Sequence, residues 1–129
     1  MSITPLYAAV LGFVLVALSL RVILVRRSLR VGLGDANHPE LLRAIRVHGN
    51  FVEYVPTALL LVLFVELGGG GAWLCHALCW ALVTGRLLHA FGVSRVQENL
   101  VFRQVGMLLT FSTLLVASLA IVWLGVSKN

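Results

Sequence analysis

The residues here that could do chemistry lie mostly between positions 43 and 56, read as R-A-I-R-V-H-G-N-F-V-E-Y-V-P. At helical spacing Arg43, Arg46, Asn50 and Glu53 share an arc of roughly 80° on one face, while His48 points away from it. An arginine fork binds a carboxylate bidentately, asparagine offers both a donor and an acceptor, and a glutamate accepts from an ammonium. Such a face suits a small anionic ligand with carboxylates and one amine. It equally suits an internal Arg–Glu network that only holds helices together, and spacing alone leaves both open.

The stretch runs directly into an apolar segment, which puts Glu53 at or just inside the edge of the hydrocarbon of a bilayer, where an ionisable residue is costly. Arg86 and His89, three positions apart, lie at a comparable depth near the end of another apolar run. A buried arginine there calls for a carboxylate, and Glu53 is the candidate. Arg103 joins them at the start of the last run.

The elements that must position these groups are membrane helices. Of 129 residues 60% are hydrophobic and 12% charged, against about 25% charged in soluble domains, and the mean hydropathy is +0.99. Four apolar runs, about 6–25, 39–67, 72–92 and 105–126, predict an all-α, integral membrane, up-and-down four-helix bundle forming a single membrane domain. The second run, at 1.5 Å per residue, spans about 43 Å against a hydrocarbon core of about 30 Å, so its first turns project into the cytoplasm. Pro39 and Glu40 open it and Pro56 should bend it. The first run lacks a basic leader and a cleavage pattern, and reads as a retained span.

Seven of the ten basic residues, Arg26, Arg27, Arg30, Arg43, Arg46, Arg95 and Arg103, gather at two connections, and the other side keeps only Lys128. The positive-inside rule therefore places loops 26–46 and 93–104 in the cytoplasm and both termini outside. The net charge of +5 serves that orientation; no basic face interleaved with exposed aromatics points to nucleic acid. Arg21 reads as snorkelling to the headgroups, and Glu66 as a solvated acid at the outer boundary. Arg26, Arg27 and Arg30 either orient the chain or share in binding an anion. Cys75 and Cys79, one turn apart with His76 nearby, make a poor disulfide and a poor metal set, so they read as small apolar filler.

The run Arg46, His48, Asn50, Glu53, Tyr54, Pro56, written R-x-H-x-N-x-x-E-Y-x-P, resembles the second-helix signature of the MAPEG superfamily, the membrane-associated proteins in eicosanoid and glutathione metabolism. Gly85, Arg86 and His89 resemble its third-helix motif, and Arg103 resembles the arginine at its fourth-helix start. The resemblance, closest to small bacterial members, covers span number, loop order and nearly the whole length. It implies a homotrimer in a bacterial inner membrane, with glutathione as co-substrate held between subunits near the cytoplasmic face. Carried over, Arg46, Asn50 and Glu53 would hold the peptide and Tyr54 line the site. Arg27 and Arg30 would be carboxylate partners, Arg86 and His89 would come from the adjacent helix, and Arg103 would face the sulfur.

Family enzymes often carry tyrosines near the sulfur, where this chain has His89, Val93 and Met107. Thiolate stabilisation then falls to Arg103. Lowering a thiol from about 8.5 by two units takes about 2.7 kcal/mol, within reach of one desolvated arginine. The implied activity is that of a glutathione transferase or peroxidase acting on lipophilic electrophiles that enter from the bilayer. Two alternatives remain. A small four-helix multidrug-type transporter works with an unpaired carboxylate in its first span, and this first span has no acid; a non-catalytic trimeric binding protein would keep the site without the chemistry.

Overall fold

A computed structural model describes residues 2–127. Four helices, α1 (Thr4–Leu29), α2 (Pro39–Leu67), α3 (Ala72–Val93) and α4 (Leu100–Val126), follow one another with no strand among the described residues. All four are long and apolar enough to cross a membrane. Lys128, expected as the lone cation of the outer side, lies outside the described residues.

α2 is the organising element because its apolar side chains recur every three or four positions. Leu41, Ala44, Val47, Phe51, Val55, Ala58, Val62 and Val65 form its buried stripe, as expected of a helix with one face against its neighbours. The helix is continuous through Pro56. Leu11 of α1 meets Phe51, Val55 and Ala58 of α2 and Leu82 and Val83 of α3 in the inner cluster. Val62 and Val65 meet Cys75, Leu78, Cys79 and Ala117 in the outer one. Both thiols are buried, free and apolar in their surroundings, in keeping with filler.

The closest approach in the bundle is that of α3 to α4, and small residues permit it. A Cβ added to Gly106 would stand 2.6 Å from both the Gly85 carbonyl oxygen and the His89 backbone nitrogen, and one added to Gly92 would stand 2.7 Å from the Arg103 nitrogen. No side chain fits between these backbones. This contact brings the end of α3, with Arg86 and His89, against the start of α4, with Arg103. α4 begins at Leu100, ahead of the apolar run, so Arg103 lies within its first turn. Asn99 caps it, its side-chain oxygen accepting from the Phe102 N–H at 3.2 Å, which satisfies one of the donors a helix start leaves open.

Two charged residues differ from their sequence reading. Glu66 is no idle solvated acid: its carboxylate accepts from the Ile3 N–H at 2.5 Å, the Thr4 N–H at 2.8 Å and the Thr4 hydroxyl at 2.6 Å. It caps α1 from the far end of α2, because the first amides of α1 have no partner of their own. Arg21, expected to reach toward the headgroups, has a protein partner at that end of the bundle: it donates to the Ser94 hydroxyl and, at 2.9 Å, to the Ser94 carbonyl. The exposed carbonyl at the end of α3 is the nearer partner.

Candidate functional site

The polar face of α2 opens, at the end of the bundle where Arg43 and Arg46 lie, onto a cavity of about 290 Å³. Pro39, Leu42, Arg43, Arg46 and Asn50 supply the α2 wall, His89 and Val93 the α3 wall, and Glu98 and Arg103 the rim. Of the expected site residues, Arg46, Asn50, His89 and Arg103 are thus brought together around one space.

Arg86 lies behind that wall. Only 2% exposed, it donates to the Asn50 Oδ1 at 2.6 Å, to the Gly106 carbonyl at 3.3 Å and to the Met107 sulfur at 3.5 Å. The expected carboxylate partner is absent: Glu53 is exposed on α2 and takes part in neither of the ion pairs among the described residues. The reason is direction and not depth: Arg86 meets both Asn50 and Tyr54, which lie one turn apart on the inward side of α2, while Glu53 between them is exposed. Arg86 Nε is the one buried side-chain nitrogen or oxygen among the described residues without a partner. A guanidinium has donors only, so the Asn50 atom facing it is the carbonyl oxygen. The Asn50 amide NH₂ is left to donate into the cavity.

Tyr54 does not line this space. Its ring lies beneath Arg86, with the guanidinium carbon 5.8 Å from the ring centroid, and meets Phe111 edge-on at 5.5 Å. Cation–π contact of this kind partly compensates a buried cation. Arg27 and Arg30 are elsewhere too. They line a shallow recess of about 420 Å³ with Ile23, Arg26, Val31 and Gly32 at the end of α1, apart from the cavity. His48, expected to point away from the polar face, is bonded to the Ser19 hydroxyl at 3.1 Å on the α1 side.

Glu98 was not among the expected site residues, and it is the cavity's one acid. Its Oε2 accepts from Arg43 at 3.0 Å and from Arg103 at 3.2 Å, while Oε1 also accepts from Arg103 at 3.2 Å. The hydrogen bond from Arg43, with the charges of Arg103 and Arg43 adding to it, holds the Glu98 carboxyl below the usual carboxylate range. A signal existed in the sequence, because Glu98 is the sole acid in the stretch 93–104 and stands between Arg95 and Arg103. Three arginines against one carboxylate leave the cavity net cationic. Chemically it can bind an anion, donate to a carbonyl from Asn50, and stabilise negative charge beside Arg103. No hydroxyl side chain lines it.

A model of the MAPEG family matches residues 4–123 of the chain. Among curated proteins, the inner membrane protein YecN of Escherichia coli K12 is 38% identical over 121 residues, covering 94% of this chain and 91% of the relative. The protein of the same name from Escherichia coli O6:H1 matches to the same extent. No solved structure matches.

Proposed function

The chain belongs to the MAPEG family, and on that premise we propose that it binds glutathione in the cationic cavity and presents its thiolate to lipophilic electrophiles. The observation that carries this reading is the convergence of Arg46, Asn50, His89 and Arg103 on one cavity at the end of the bundle. Arg46 takes a peptide carboxylate, and the Asn50 amide donates to a peptide carbonyl. Arg103, half exposed at the rim, lowers the thiol's pKa by favouring its charged form. The thiolate sulfur then bonds to the electrophilic carbon of a substrate dissolved in the bilayer as the carbon's leaving group departs with its electron pair. With a lipophilic peroxide it attacks one oxygen, and the O–O bond breaks to release the alcohol. The sulfenic acid so formed condenses with a second glutathione to give the disulfide and water.

The cavity, at about 290 Å³, lies at the small end of the range usual for ligand pockets and is open on one side. Exposed Glu53, and the separate recess of Arg27 and Arg30, supply what a neighbouring copy would add. We therefore place the complete site between protomers of a homotrimer. The inner-membrane location of the Escherichia coli relative supports the same membrane here, with loops 26–46 and 93–104 cytoplasmic by the arginine bias.

A second reading, a trimeric protein that binds glutathione without chemistry, is favoured by the cavity's lack of hydroxyls. One experiment separates the two. Purified protein is mixed with glutathione, and thiolate absorbance is followed at neutral pH. Thiolate appearing with bound ligand, and consumed by an apolar electrophile, supports the enzyme. Binding without thiolate supports the second reading, and no binding rejects both.

A further inference from the structure

Arg103, the residue best placed to face a thiolate, already faces an anion. Both oxygens of Glu98 lie 3.2 Å from its Nη1, and the same carboxylate is held from the opposite wall by Arg43. Glu98 reaches this position from the connection 94–99, which is tied to the end of α3 by the Asn99 N–H donating to the Gly92 carbonyl at 3.0 Å. The carboxylate is 23% exposed, so it can turn outward to water when something replaces it.

We propose that Glu98 is an internal anion occupying, in front of Arg103, the place that the ligand's thiolate takes, and that it thereby determines which form of the sulfur the cavity holds. The inference rests on the glutathione reading above. Its physical content is a competition for one guanidinium. While Glu98 stays on Arg103, a nearby sulfur meets both a neutralised cation and a like charge, and each favours the neutral thiol. When Glu98 turns out, Arg103 is free to pair with sulfur, the S–H bond breaks, its electron pair stays on sulfur and its proton passes to water at the exposed rim. The other groups facing this point are Arg43 and Arg46 of α2 and His89 of α3. None of them supplies a second negative charge.

The test compares wild type with Glu98→Gln, which keeps a hydrogen-bonding side chain of the same length and removes its charge. The pH titration of the bound glutathione thiol, read by thiolate absorbance, is the measurement. The expected result is a thiol pKa lower by about one unit in the variant, or about tenfold more thiolate at a fixed pH below it. A merely structural role would change thermal stability and leave this titration in place, and an unshifted or raised pKa overturns the inference while leaving glutathione binding standing. Absence of glutathione binding to either protein overturns the functional reading and the assignment to Glu98 with it.

Wild-type protein supplies an independent arm should the variant not assemble. Amide exchange in residues 94–99 should be faster with glutathione bound than with S-methylglutathione, which has no thiolate to displace Glu98. Equal or slower exchange with glutathione overturns the inference.

Discussion

Arg86 carries a charge that no carboxylate neutralises, and its neighbours explain how the fold tolerates it. Asn50, the Gly106 carbonyl and the Tyr54 ring surround the guanidinium, so the cation is solvated by dipoles inside the bundle. That fixes Asn50 in turn, and makes it a donor toward the cavity. Arg46 and Arg103 differ from Arg86 because both retain exposure and both reach the cavity. Arg46→Ala should remove an ion pair to a ligand carboxylate and weaken glutathione binding by about 1 kcal/mol, the scale of an exposed pair, as read by calorimetry on protein in detergent. Arg103→Ala should raise the bound thiol's pKa and slow turnover with little change in affinity. Equal losses of affinity would make Arg103 a peptide anchor, and an unchanged affinity in Arg46→Ala would return the cluster to a structural network.

At the level of elements, the contact of α3 with α4 does most to set the site. Gly106→Ala places a methyl 2.6 Å from the α3 backbone. Removing a helical glycine gains about 1 kcal/mol in propensity, but overpacking a backbone contact costs about 1 to 3 kcal/mol, and here neither backbone has room to yield. The variant should melt earlier and lose glutathione affinity as Arg103 moves away from His89. Gly12→Ala is the control: nothing stands within 4 Å of its added Cβ, so thermal unfolding should be unchanged or slightly raised. The connection 94–99 has its own signature. The Glu98 carboxyl is held below its usual range, so the clamp is fully present above the unfolded carboxylate pKa and is lost as pH falls through the lower folded one. Amide exchange in this connection should accelerate at acid pH in wild type, and should be fast and insensitive to acid in Glu98→Gln once intrinsic exchange is corrected for.

The whole molecule presents groups that one protomer does not use. Glu53 is exposed on α2, Arg46 is exposed two turns earlier on the same helix, and Arg27 and Arg30 line a separate recess. In hydrocarbon an uncompensated carboxylate is costly, and a neighbouring copy that brings arginines to it would relieve the cost and enlarge the cavity together. Native mass spectrometry from detergent should therefore show a trimer, with glutathione retained only on that species. A stable monomer that binds glutathione would refute the shared site. The same reasoning predicts that Glu53→Leu, which removes the exposed charge, weakens glutathione binding and leaves the helical content seen by circular dichroism unchanged.

Much of this architecture was legible in the chain, since a lipid solvent leaves few options: an apolar run of some twenty residues must satisfy its backbone internally and becomes a helix. Four such runs, the turn residues between them and the period of α2 determined the bundle, and the one-face spacing of Arg46, Asn50 and Glu53 located its polar side. Pairing was another matter. Spacing places residues on a face but says nothing about which neighbour lies opposite, so it suggests Glu53 for Arg86 where Asn50 holds it, and gives no partner for Glu66 where the start of α1 is one. Glu98 escapes a reading by helix faces because it lies in the connection between α3 and α4 and its partner Arg43 stands on α2, 55 positions away. Only the approach of α3 and α4 through their glycines, and the tie of the connection 94–99 to the end of α3, decided which arginines face an anion, because those distances depend on how backbones pack and not on the order of residues along any one of them.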